Sequence, residues 1–147
     1  MSEMRGKSGN SLGSISLFPD MSNDLGTLIP FEFYDMPFRP ARAFIVRDVP
    51  SGGKRGIHAH KQCEQLLVSL QGLIVVEMTD GSDELEKSLS SPSDGLYIPP
   101  MTWASQSYES ADAVLLVFAS HPYSRSDYIE DYQEFLELRG TTVSSKD

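Results

Sequence analysis

Arg55-Gly-Ile-His-Ala-His60 is the stretch on which the fold turns. Two of the chain's three histidines stand here, two residues apart. In an extended strand that spacing sends both rings to one face. Gly52-Gly53 gives the strand a flexible approach, and Arg55 and Lys61 bracket the pair with positive charge. A strand with two polar rings on a single face lines a cavity, so its neighbours are read as the walls of a small β-barrel.

Upstream, residues 41–49 form a strand with Ala43, Ile45 and Arg47 on one face and Phe44 and Val46 on the other. A shorter strand is expected at 14–18, a turn at 19–24, and an edge or loop at 26–31, where Pro30 argues against a central position. Downstream, strands are expected at 64–70, 73–78, 84–89, 96–100 and 111–119, with a short, mixed stretch at 103–108. Asp80-Gly81 marks a hairpin turn. Short strands at this spacing, separated by glycine and proline turns, indicate an all-β sandwich or barrel. Residues 126–138 place Ile129, Tyr132, Phe135 and Leu136 near one helical face, with Ser124 or Ser126 as cap and Gly140 as stop. The expected organisation is a flexible start at 1–13, one domain over 14–138 and a tail at 139–147.

The net charge of −9 disfavours a general nucleic-acid binder, which needs a basic footprint. It leaves room for an anionic substrate, because a local cluster of cations opposes the overall field. No apolar run is long enough to span a membrane, and no secretory signal is apparent. Cys63 is the only cysteine, which excludes an internal disulfide. A cytoplasmic protein is expected.

A His-x-His pair on a strand serves as metal ligands, as an acid/base pair or as an anion site. A catalytic metal usually takes three protein ligands. The region resembles the first cupin motif, with Gly52, His58, His60 and Gly72 in register. Gln65 stands at that motif's glutamate position, and Glu64, one residue away, turns to the other face. Ala104 stands where the second motif has a histidine, and His121 lies beyond the last strand. No metal and no cofactor are therefore expected. Two adjacent neutral imidazoles are suited to moving protons between neighbouring atoms of one substrate. Arg55 and Lys61 would favour an anionic substrate or an enediolate. Tyr97, Met101 and Trp103 flank Pro99-Pro100, as a ligand platform or as core. Cys63 reads as a small buried hydrophobe.

Four blocks in order resemble the WxcM-like sugar 3,4-ketoisomerases, cupins of deoxysugar biosynthesis. They are Arg55-Gly-Ile-His-Ala-His-Lys61, Gly95-Leu-Tyr-Ile-Pro-Pro-Met-Thr-Trp103, Ala113-Val-Leu-Leu-Val-Phe-Ala-Ser120 and Asp127-Tyr-Ile-Glu-Asp-Tyr132. The resemblance implies a single-domain jelly-roll barrel with a short C-terminal helix. It implies a dTDP-linked 4-keto-6-deoxyhexose whose carbonyl moves from C4 to C3 without metal or redox cofactor. By that likeness His60 removes the C3 proton and His58 shuttles protons at C4 and its oxygen. Arg55 holds hydroxyls or diphosphate. Lys61, Gln65, Tyr97, Trp103 and Arg47 are further candidates for substrate contact. A homodimer with an exchanged N-terminal strand is also implied. One departure stands out: the family's strand carries an active-site tyrosine where this chain has Ile45, which offers no donor or acceptor. This leaves open another nucleotide-sugar isomerase or epimerase, or a cupin that binds without converting.

Overall fold

The structure is a computed structural model and describes residues 12–140. The expected flexible start and tail fall mostly outside the described residues.

Two five-stranded antiparallel sheets face each other. In the first, the order is β1 (Ile15–Leu17), β9 (Asp94–Ile98), β6 (Gln65–Gln71), β11 (Val114–Ala119) and β4 (Arg42–Arg47). In the second it is β12 (Tyr128–Ile129), β5 (Gly53–His60), β10 (Trp103–Tyr108), β7 (Ile74–Thr79) and β8 (Glu84–Leu89). The strand expected to leave for a partner, β1, pairs here with β9 of its own chain, Ile15 opposite Leu96. The inner faces bury Leu67, Ile74, Val76, Leu96, Leu115 and Val117. Each comes from a segment whose apolar residues alternate or run together, as a half-buried or fully buried strand requires.

The segment at 19–24 is not only a turn. It contains β2 (Met21–Asn23), which forms a separate hairpin with β3 (Gly26–Leu28). Asn23 closes this hairpin by accepting the Leu25 N–H at 2.8 Å, and Gly26 takes φ 127°.

The C-terminal region also departs from expectation. A 3-10 turn (Arg125–Asp127) leads into β12, and helix α1 runs only from Tyr132 to Arg139. Asp131, not a serine, caps α1 by accepting the Glu134 N–H at 3.0 Å. Gly140 ends the helix at φ 79°, as expected. Ile129 fits a helical period and a strand equally well. Pairing with β5, Ile129 opposite Ala59, decides for the strand and buries it fully. Phe135 of α1 then packs on Ala59 and Ile129, on the side of β5 away from the histidines.

A bulge in β5 matters for the site. Arg55 and His58 are three apart, so a regular strand would turn them to opposite faces. Gly56 takes φ 67°, and the pairing with β10 slips between Ala104 and Gln106. The extra residue brings Arg55 and His58 to the same cavity. A side chain at Gly56 would meet the Gln106 amide at 2.5 Å.

Phe135 is fully buried and is the main clamp of α1 on the back of the histidine strand. Phe135→Ala is expected to cost about 3–5 kcal/mol in urea unfolding. A loss below about 1 kcal/mol would show that the helix is not anchored this way.

Candidate active site

His58 and His60 stand edge to face, ring centroids 4.9 Å apart and planes at 83°. Tyr128 reaches both from the paired strand β12, 4.8 Å from His58 and 4.3 Å from His60. Its position directly opposite His60 in the register explains the contact. His60 is buried, and its Nδ1 lies 3.1 Å from Asp127 Oδ2. A carboxylate only accepts, so Nδ1 carries the proton and Nε2 keeps a lone pair. That Nε2 is buried and has no hydrogen-bond partner.

Asp127 is itself tied down. Its Oδ1 accepts the Gln62 N–H at 2.8 Å and its Oδ2 the Cys63 N–H at 3.2 Å. Its backbone carbonyl accepts the Lys61 N–H at 2.8 Å. The loop after β5 is thus sewn to the 3-10 turn, and the carboxylate that sets the His60 tautomer has little freedom. Asp127 stands 67 residues beyond His60, in a segment whose period predicts a helix. The only sequence signal for it was the Asp127-Tyr-Ile-Glu-Asp-Tyr132 block.

Both rings are held neutral. Burial, then the nearby His60, lowers the His58 pKa to about 4. Burial lowers His60 as well, with Asp127 working against it and Arg42 adding to it.

A cavity of about 330 Å³ opens between the sheets beside His58. Phe44, Val46, Leu115 and Val117 form its apolar wall. Arg55, Gln65, Gln106, Tyr128 and Glu130 supply its polar groups. Of the expected contacts, Arg55, His58 and Gln65 are therefore brought together here, and His60 sits against His58. Gln106 was not foreseen.

Four expected contacts, Arg47, Tyr97, Trp103 and Lys61, lie elsewhere, as does Ile45. Arg47 and Ile45 point outward from β4, on the opposite face from Phe44 and Val46, so neither reaches the cavity. Tyr97 is core: its hydroxyl donates to Glu64 Oε1 at 2.6 Å, and burial raises its pKa. Trp103 packs against Tyr132 and Phe135 and borders a hollow of about 630 Å³ on the outer face of the second sheet. That hollow is larger, but no histidine lines it. Lys61 lies one cleft away, with His121 and Tyr123.

Ala104 is paired with His58 in register, so the third histidine of a cupin metal site would stand here, and this chain has a methyl group. Among the described residues, His60, Cys63 and Asp127 bring ligand atoms within 4.8 Å of one another. An ion there would compete with the His60–Asp127 hydrogen bond.

The FdtA family model, described as WxcM-like, C-terminal, matches residues 10–140. A curated TDP-4-oxo-6-deoxy-alpha-D-glucose-3,4-oxoisomerase of Aneurinibacillus thermoaerophilus is 37% identical over 119 residues, 80% of this chain and 86% of that protein. QdtA, a sugar 3,4-ketoisomerase from Thermoanaerobacterium thermosaccharolyticum solved in complex with TDP, superposes with a TM-score of 0.85. It is 30% identical, with 90% of this chain and 98% of that one covered. The WlaRB TDP-quinovose 3,4-ketoisomerase from Campylobacter jejuni gives a TM-score of 0.81 at 33% identity, covering 86% of this chain and 98% of its own. The jelly-roll cupin architecture is common to this set.

Folded, His58 protonates near pH 4; unfolded, near its ordinary 6.5. Between those values the unfolded chain binds more protons, so stability is full above about 6.5 and falls as pH drops toward 4. Thermal midpoints measured from pH 7.5 to 4.5 should decline, and His58→Asn should flatten the decline. An equally steep fall in the variant would assign the acid sensitivity to other groups.

Proposed function

The chain belongs to the FdtA family, described as WxcM-like, C-terminal, and from that membership we propose that it is a 3,4-ketoisomerase of a dTDP-linked 4-keto-6-deoxyhexose. What carries the reading to this chain's own residues is the His58–His60 pair beside the cavity, with Asp127 fixing the tautomer of His60.

Nε2 of His60 takes the proton from C3. The electrons of that C–H bond form the C3–C4 double bond, and the C4 carbonyl oxygen takes a proton to give the enediol. The C3 hydroxyl then loses its proton as the C3 carbonyl forms, and C4 gains one. His58, which lines the cavity, carries the protons at C4 and its oxygen. Arg55 offers its charge to the enediolate. Gln65 and Gln106 offer amides to the sugar hydroxyls. The apolar wall keeps water from the rings, which preserves their neutral form. No step needs a metal or a redox partner, since the carbon skeleton is neither oxidised nor reduced overall.

A second assignment is favoured by the cavity lining, which includes His58 and not His60. In it His58 alone meets the sugar and His60 relays protons behind it. The two histidines then swap rank while the reaction stays the same.

We also propose a homodimer working in the cytoplasm. The β2–β3 hairpin exposes Met21, Leu25 and Leu28, and Leu17 beside it is exposed as well. Apolar side chains gathered at one end of a chain mark an association surface. A single buried cysteine suits a reducing compartment. Light scattering should give twice the chain mass; a monomer at micromolar concentration would remove the dimer.

The test of function is dTDP-4-keto-6-deoxyglucose in D2O, followed by NMR. Deuterium should enter at C3 or C4 as the 3-keto sugar accumulates. His60→Asn should abolish the conversion. Asp127→Asn should lower kcat by on the order of 10²-fold or more. His58→Asn leaving exchange at C3 but not at C4 selects the first assignment, and loss of both selects the second. Tight binding of the sugar nucleotide with no exchange in wild-type protein would overturn the isomerase.

A further inference from the structure

The His60 ring has two nitrogen edges. Nε2 is the base of the reaction proposed above, and Nδ1 turns to the loop after β5, where Asp127 and Cys63 stand. The reaction uses the carboxylate there and leaves the thiol without a task. His60 Nδ1, Cys63 Sγ and a carboxylate oxygen of Asp127 all lie within 4.8 Å of one another.

Imidazole nitrogen, thiolate sulfur and carboxylate oxygen are the donor types that zinc takes. The spacing suits the ion. At zinc's usual bond lengths a tetrahedral angle sets a nitrogen and an oxygen ligand about 3.3–3.4 Å apart. Nδ1 and Oδ2 are 3.1 Å apart, joined by the proton that an ion would replace. A sulfur ligand belongs about 3.6 Å from each, so Cys63 closes by about 1 Å at most. The ligands are already held against each other, because the Cys63 N–H donates to the same Asp127 Oδ2 at 3.2 Å. Ser120 Oγ, 3.9 Å from the sulfur, is placed to donate to a thiolate. The charges close as well. His60 and Cys63 are buried, and one thiolate with one carboxylate neutralises a divalent ion, as burial demands. Asp127 borders a hollow of about 550 Å³ between the Lys61-Gln62 loop and the loop from His121 to Asp127, which gives an ion its way in and a water its fourth position. The histidine missing at Ala104 concerns the His58 side of the pair and has no bearing on donors gathered at Nδ1.

We propose that His60 Nδ1, Cys63 Sγ and Asp127 Oδ2 form a zinc site whose occupation shuts the isomerase off. Binding releases one proton, from the Cys63 thiol, and moves the imidazole proton from Nδ1 to Nε2. A protonated Nε2 has no lone pair with which to take the proton from C3. The site stands on the geometry alone; the shut-off rests on the role of His60 proposed above.

Cobalt(II) titrated into chelator-stripped full-length protein tests the site without reference to turnover. One equivalent should give a thiolate-to-cobalt charge-transfer band in the near ultraviolet. Cys63→Ala keeps the backbone N–H to Asp127, and it should lose the band and retain isomerase activity. Zinc should inhibit the wild-type isomerase reversibly, with activity restored by chelator. Cys63→Ala should raise the zinc concentration for half inhibition on the order of tenfold or more, since losing a ligand costs at least what losing a ligand's partner does. No cobalt–thiolate band in wild-type protein overturns the site, and so does an unchanged zinc midpoint in a folded Cys63→Ala protein. If that variant does not fold, nitrogen NMR of the wild-type His60 ring decides instead: zinc should move its proton from Nδ1 to Nε2, and an unmoved proton overturns the proposal. A cobalt–thiolate band in a protein that isomerises nothing would remove the enzyme and keep the site. Isomerisation indifferent to zinc in a protein without the band would do the reverse.

Discussion

Two imidazoles held neutral, 4.9 Å apart, on one face of one strand are the condition that the rest of the structure serves. Water would let each ring protonate near neutrality, and a protonated ring is no base. Burial makes the charged form costly for both rings, and His60 adds to that cost at His58. Asp127 offsets part of this for His60 and, by accepting from Nδ1, leaves Nε2 as the free atom. A carboxylate that both orients and partly stabilises the ring is worth more than either effect alone, because catalysis asks for a defined tautomer and a usable basicity together.

The fold meets this condition from both sides of β5. On one side Ala59 is fully buried under Ile129 and Phe135, so the strand cannot roll and turn its rings outward. On the other, the apolar residues of the first sheet close over the cavity. The bulge at Gly56 then adds Arg55 to the face that already holds His58. Opposite His58, the methyl group of Ala104 leaves a place where a ring would complete a metal's ligand set. The same scaffold with a histidine there would fix the imidazoles as ligands, and their lone pairs would be lost to proton transfer.

Much of this was legible in the chain. Period-two alternation located β4 and its two faces, and the His-x-His spacing placed both rings together. Gln65 rather than Glu64 faces the cavity, as a one-residue shift in a strand demands. What was not legible depends on contacts between distant segments. Asp127 matters because β12 pairs with β5, and a two-residue strand carries no periodic signal of its own. Tyr97 and Trp103 look like a platform in sequence, yet which side of a sheet an aromatic residue fills is decided by what covers that side. For Tyr97 it is the segment carrying Phe31 and Phe38; for Trp103 it is α1. The helix begins later than its pattern because residues 128–129 pair with β5, and Asp131 caps the turn that follows.

The outward turn of Ile45 changes what β4 means for the chemistry. A lost hydroxyl at that position suggested a pocket short of an acid or base, but the side chain never enters the pocket. What β4 contributes comes from the alternate face, where Arg42, Phe44 and Val46 stand in a row. Phe44 and Val46 deprive the histidines of water and so help keep them uncharged. Arg42, two residues away on the same face, rests its guanidinium on the Phe44 ring. Had the cation stood at position 44 instead, it would have pushed the imidazole pKa values lower and left less basicity for the reaction. From its place beside that ring it still lowers His60, against the pull of Asp127. One strand face thus carries both a cation and the apolar wall that a neutral base requires, two residues apart.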